Sequence, residues 1–236
     1  TFDHSLRTLE NALDASRDNI EHFIFFSSSM AYGNFQTEQV DESHPLNPIG
    51  IYGALKAAGE KIVIAYQQVF GLDYTIIRPS ALYGPRCVSR RVGQVFIEKA
   101  LAEETLLIEG SGQDRLDFTY IDDIVKGVIS LIDVPPKNDN NKSNIDKNDS
   151  LSPVAPFRIV NIGNSNKVKL LDFVDALETC LGKKAIRNYM PMQKGDVYAT
   201  WANIDLLKKL TGYTPKIDIK AGIKNFVDWY TTYYKK

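Results

Sequence analysis

Apolar residues at Leu6, Leu9, Ala12, Leu13 and Ala15 recur with helical spacing and predict a first helix over roughly residues 3–17. The unbroken apolar run Phe23, Ile24, Phe25, Phe26 follows, the pattern of a strand buried on both faces in a parallel sheet. It stops at three consecutive serines, Ser27, Ser28 and Ser29. Further along, Asn47 and Pro48 supply a helix N-cap and a first-turn proline, and Gly71 supplies a stop, so a long helix is expected between them. Residues 73–78 read as a second strand closed by Pro79, and a helix is expected near 92–103. A short strand near 106–108 precedes the segment 115–120, after which Ile121, Ile124, Val125 and Val128 return to helical spacing. Residues 135–156 are dense in Asn, Asp, Lys, Ser and Pro and are expected to form a flexible surface insertion. A strand over 157–161, an amphipathic helix from Leu170 to just before Gly182, and two helices near 203–211 and 218–234 close the chain.

This alternation of strands and helices predicts an α/β fold, a Rossmann-like doubly wound parallel sheet with a small C-terminal α/β region. The division expected is 1–134 for the sheet portion, 135–156 for the insertion and 157–236 for a C-terminal region interleaved with the first. Ligands of open α/β sheets bind beyond the carboxyl ends of the strands, which places the serine cluster well for chemistry; the plainer alternative is a polar strand end.

Composition narrows the function. A chain of 236 residues with 44% hydrophobic and 24% charged residues can bury an ordinary globular core. A net charge of -1 leaves no excess of cations for a phosphate backbone, so no nucleic-acid partner is expected. The apolar runs break too soon to span a bilayer, and no membrane partner is expected. Cys87 and Cys180 show neither metal nor disulfide spacing, which suits a reducing, cytoplasmic compartment and two buried thiols. His4, His22 and His44 share no ligand spacing, and no metal site is expected.

The candidate chemistry centres on Tyr52 and Lys56, four residues apart and so one turn apart on one face of the long helix. An ammonium beside a phenol favours phenolate and makes a base usable near neutrality. With 12 tyrosines in the chain, about one match to Y-x-x-x-K is expected by chance. Context therefore decides between a base and a surface Tyr with a solvated Lys.

That context is specific. The ordered segments FFSSSMAYG, IYGALKAAGE, IIRPSALYGPR and RLDFTYIDDIVKGV resemble extended short-chain dehydrogenase/reductases acting on nucleotide sugars, the NAD-dependent epimerase/dehydratase group. MPMQKGDVYATWANID and the segments flanking it are most similar to UDP-glucuronate 4-epimerases. The resemblance implies NAD as cofactor and a UDP-sugar, UDP-glucuronate or a UDP-hexose, as substrate, with C4 inverted through a transient 4-keto sugar. It implies Tyr52 as base, Lys56 as the ribose-binding and tuning cation, and Ser28, or Ser29 if the register shifts by one, as partner of the reacting hydroxyl. Pro79 and Ser80 match the strand end beside nicotinamide. Arg115 matches an arginine on the diphosphate, although Leu116 separates it from Asp117 where relatives often place it directly before the Asp. Gln193 and Asp196 match positions on the nucleotide side of the substrate.

Met30 stands where dehydratases and decarboxylases of the superfamily usually carry an acid, and a thioether cannot transfer protons. Ala81 and the run Arg86, Cys87, Val88 depart from the glucuronate pattern, so a carboxylate would fall to Arg86, Arg90 or Arg91, or go unread. No G-x-G-x-x-G turn precedes Ser28. The resemblance thus implies a first Rossmann half upstream, an incomplete NAD-binding portion with the catalytic Ser, Tyr and Lys over 1–134, a substrate-binding region over 157–236, and a 236-residue piece that binds NAD poorly and does not turn over alone. A homodimer is expected for the longer protein. The competing readings are a truncated binding or dimerisation module, using the small-residue face at Gly53, Ala54, Ala57 and Gly59, and a decarboxylase or reductase of the same superfamily.

Overall fold

In the computed structural model of the chain, residues 2–87, 91–136, 157–192 and 200–235 are described. A π-helical turn, Asp3–Arg7, leads into α1 (Thr8–Ser16). Strand β1 (His22–Phe26) is followed by a 3-10 turn at Ser29–Ala31 and by α2 (Ile51–Phe70). Next come β2 (Asp73–Pro79), β3 (Ala81–Tyr83), α3 (Val92–Leu101), β4 (Thr105–Glu109), β5 (Arg115–Leu116), β6 (Phe118–Tyr120) and α4 (Ile121–Ile132). The remaining elements are β7 (Phe157–Ile162), β8 (Val168–Lys169), α5 (Leu170–Leu181), β9 (Ile186–Met190), α6 (Asp205–Thr211) and α7 (Ile219–Tyr234).

Three strands form the central parallel sheet in the order β1-β2-β7, with Phe26 beside Ile77 and Pro79 beside Ile162. Successive side chains of β2 point to opposite faces, so its continuous apolar sequence feeds two cores at once. Tyr74 and Ile76 pack with Leu9, Leu13 and Val63 from α1 and α2. Ile77 packs on the other face with Ile124 and Leu131 of α4 and with Leu206 and Leu207 of α6. Each such side chain contributes roughly 1.5–3 kcal/mol when fully buried. Helices thus cover both faces, the arrangement a doubly wound sheet requires. A third core joins α3, α5 and α7 beneath β3 and β6, with Phe118 stacked on Phe173 at 4.5 Å between ring centroids.

Several expectations change on contact with the structure. The long helix begins at Ile51 with Gly50 as its N-cap, rather than at Asn47 and Pro48. Asn47 is committed elsewhere: it bridges Gly33, and its N–H donates to the Tyr32 carbonyl at 3.2 Å, which keeps the chain extended. Gly71 ends the helix as expected, in the left-handed region at φ 76°. The two thiols are not buried: Cys87 is half-buried and Cys180 exposed, because the last turn of α5 runs past the core supplied by Phe173, Val174 and Leu177. Gly53 and Gly59 face inward against Met30 and Phe25, so the expected small-residue face is partly internal. Most of the expected insertion, residues 137–156, lies outside the described residues. Among the described residues no helix is long and apolar enough to cross a membrane, and no cluster of His, Cys, Asp and Glu suits a metal ion.

Candidate active site

The site is assembled where β1 and β2 end. Beyond Phe26, Ser27 still pairs with the sheet, its N–H donating to the Ile77 carbonyl at 2.8 Å. Ser28 is extended (φ -164°, ψ 151°) and caps the 3-10 turn by accepting from the Met30 N–H at 3.2 Å. That bond uses a lone pair, so the Ser28 proton remains for another acceptor. Both Ser28 and Ser29 are buried.

Helix α2 closes onto this turn at a residue with no side chain. A Cβ on Gly53 would stand 2.3 Å from the Met30 carbonyl oxygen, so only glycine allows the approach that brings Tyr52 alongside the serines. One turn on, the Lys56 ammonium donates to the Phe26 carbonyl at 2.7 Å and lies 5.8 Å from the Tyr52 ring centroid. Tyr52 is 49% exposed, so its side chain is open to a ligand.

The floor is the turn Pro79–Ser80, held from behind by Asp117. Ser80 donates through its N–H to the Ile162 carbonyl at 2.8 Å and through its hydroxyl to Asp117 at 3.2 Å. Asp117 also accepts from the N–H groups of Asn164 (2.9 Å) and Ala202 (3.3 Å), and its own N–H donates to the Thr200 hydroxyl at 3.1 Å. Burial pushes its carboxyl up to about 6 against the downward pull of these bonds. A Cβ on Gly163 would fall 2.5 Å from Asp117 and 2.7 Å from the Ser80 hydroxyl, so the loop after β7 is glycine for the same steric reason.

Together these groups border a cavity of about 330 Å³ lined by Ser28, Ser29, Met30, Tyr52, Pro79 and Ser80 on one side. The other side comes from later in the chain: Arg91, Glu109, Asp114, Leu170, Met192 and Thr200. A neighbouring cavity of about 330 Å³ along α3 and β4 shares Val92, Glu109 and Leu170 with it, which gives an elongated ligand room to continue.

The sequence candidates therefore divide. Tyr52, Ser28, Ser29, Pro79 and Ser80 line one cavity, and Lys56 stands one turn behind Tyr52. Arg86 does not line it; it is exposed on the loop after β3 with φ 62°. Arg91 is the one cation lining it among the described residues. Arg115 lines a third cavity, of about 480 Å³, with Asn34, Gln113 and Lys167, which meets the first at Asp114. Gln193, Asp196 and Arg90 lie outside the described residues.

Glu60, Asp117 and Thr200 were not singled out by sequence. The only available signal was positional: Glu60 sits one turn beyond Lys56, and Asp117 lies inside the RLDFTY segment.

Comparison with known proteins identifies the family. Residues 1–146 match the NAD dependent epimerase/dehydratase family. The chain is 35% identical to Protein CapI of Staphylococcus aureus, with 100% of this chain and 71% of that protein covered. It is 34% identical to a probable UDP-glucuronate 4-epimerase of Rhizobium meliloti, over 92% of this chain and 64% of that one. The crystal structure of UDP-glucuronic acid 4-epimerase from Bacillus cereus, in complex with UDP-glucuronic acid and NAD, superposes with a TM-score of 0.84 at 27% identity, covering 99% of this chain and 69% of that one. The chain thus spans about two thirds of the length of these relatives.

Proposed function

This chain belongs to the NAD-dependent epimerase/dehydratase family, and from that premise we propose that it carries the catalytic portion of a nucleotide-sugar 4-epimerase, an isomerase acting on UDP-glucuronate or a UDP-hexose. The observation that carries the proposal is the single cavity bordered by Tyr52, Ser28 and the Pro79–Ser80 turn, with the Lys56 ammonium one helical turn from Tyr52.

The residues present suit the nicotinamide-ribose end of NAD. Lys56 has three N–H donors and engages the Phe26 carbonyl with one, leaving others for ribose hydroxyls. Pro79 and Ser80 offer backbone and a flat apolar surface at the cavity floor. NAD held there by Lys56, Pro79 and Ser80 would supply a reversible hydride acceptor beside the sugar carbon.

Tyr52, with Lys56 one turn behind it, acts as the base that takes the proton of the C4 hydroxyl, and Ser28 holds that hydroxyl by hydrogen bonding. The 4-keto sugar turns in the cavity and is reduced on its other face, so C4 is inverted. Met30 lines the cavity; by the resemblance it holds the position where dehydratases and decarboxylases usually carry an acid, and a thioether cannot transfer protons. That favours inversion over dehydration or decarboxylation. Arg91 lines the cavity and Arg115 the adjoining one, which supports pairing of these guanidinium groups with anionic parts of the substrate; for Gln193 and Asp196 on the nucleotide side the support is the family resemblance alone.

The test is product analysis with that natural polypeptide, NAD, and UDP-glucuronate or UDP-glucose supplied separately. The expected result is the C4 epimer of at least one substrate at constant total UDP-sugar. Release of carbon dioxide, or steady accumulation of reduced cofactor, would overturn the proposal.

A further inference from the structure

We propose that Glu60, Arg78 and Ser27 form a buried positioning device that sets helix α2 and the serine turn at their working separation. The inference rests on the epimerase reading above. Glu60 lies on the face of α2 that carries Tyr52 and Lys56, two turns and one turn further on. Arg78 grips its carboxylate with two nitrogens, Nε at 2.9 Å and Nη2 at 2.6 Å. The Ser27 hydroxyl donates to the same carboxylate. Arg78 then reaches with Nη1 to the Tyr32 hydroxyl at 2.9 Å and to the Glu42 carbonyl at 3.3 Å, and Tyr32 donates to Asn161 at 2.8 Å.

The three residues of the device occupy telling places. Ser27 immediately precedes Ser28, Arg78 immediately precedes Pro79 and Ser80, and Glu60 anchors the helix of Tyr52 and Lys56. Each backbone segment that carries the proposed machinery is thus pinned to one bidentate ion pair. None of the three lines the cavity, and they are 1% (Glu60), 2% (Arg78) and 3% (Ser27) exposed, so they act through their neighbours and do not touch substrate.

Stability alone is a poor reason for such a pair. Apolar residues of similar volume often replace a buried ion pair at no loss, whereas removal of one partner strands a charge. An apolar pair cannot reproduce the fork of directed bonds that fixes three segments relative to one another.

The experiment therefore compares two variants in the natural polypeptide: Ser27→Ala, which leaves the ion pair intact, and the double variant Glu60→Met with Arg78→Met. The double variant removes both charges but leaves the Ser27 and Tyr32 hydroxyls and the Glu42 carbonyl each one partner short, so it is expected to melt within several degrees of the unsubstituted protein, yet to lose about 10–100-fold in kcat, because misplacement by an ångström costs on that order. KM is expected to change less than about threefold. Ser27→Ala removes one hydrogen bond to a buried carboxylate, and is expected to lower kcat several-fold while Tm falls by only a few degrees. Should the double variant fail to fold, Ser27→Ala decides alone. A kcat within twofold of the unsubstituted protein in every variant that folds overturns the positioning role. If the unsubstituted protein inverts no UDP-sugar, the epimerase reading fails and takes this inference with it.

Discussion

Glu42 shows how far one side chain's surroundings can be carried. Its carboxylate accepts from the Asn161 N–H at 2.7 Å on the strand β7, and its carbonyl accepts from Arg78. Burial outweighs the Asn161 bond and pushes the carboxyl up from 4.5 to about 7. The fold therefore holds this proton more tightly than the unfolded chain does. Glu42 contributes its full stabilisation below about pH 4.5, and loses it as the pH rises through about 7. The amide of Glu42→Gln cannot titrate, so its Tm should fall less than that of the natural protein between about pH 5 and 7.5. Parallel Tm curves across that window would contradict the assignment. At this scale the sequence showed residue types at suggestive spacing, Tyr52 with Lys56 above all. It did not show Glu42 or Asp117, because burial and the partners that shift a carboxyl come from segments distant in the chain.

At the scale of elements, periodicity recovered what periodicity can carry. α2, α4, α5 and α7 each have several turns with an apolar face, and β1 and β2 are continuous apolar runs, so all were legible. β3, β5 and β8, two or three residues long, contain no period to read, and exist because their partners lie alongside: Ala81 beside Phe118, Arg115 beside Lys169. β9 escaped for another reason, since its sequence Ile186, Arg187, Asn188, Tyr189, Met190 is mostly exposed and lacks a buried face. The start of α2 misled because Asn47 was taken by Gly33 before it could cap. Where a cap is real, it has an energy. Asp218 accepts from the N–H groups of Lys220 (2.9 Å) and Ala221 (3.0 Å) at the head of α7. Asp218→Ala should therefore cost about 1 kcal/mol, read from the denaturant midpoint at constant m. An unchanged midpoint would show that the cap contributes nothing there.

At the scale of the whole molecule, helices on both faces of a parallel sheet follow from β2 feeding apolar side chains to two cores, and this was legible from the strand–helix alternation. The convergence of the C-terminal half on the cavity was expected only through the resemblance, which set Gln193 and Asp196 beside the substrate; no periodicity shows it. Asp117 ties the strand end at Ser80 to the returning segment at Thr200 and Ala202, and Met192 arrives two residues after β9, which pairs with β4. On the proposed chemistry, the cavity must oxidise a sugar carbon, hold the ketone, and reduce it on the opposite face without losing what was removed. The most direct test supplies the natural polypeptide with the UDP-sugar it turns over, deuterated at C4. The account predicts that the C4-inverted product retains the deuterium at C4, with none exchanged into water. Product that has lost the label to solvent would mean that C4 is inverted by proton abstraction from carbon, and would contradict the account.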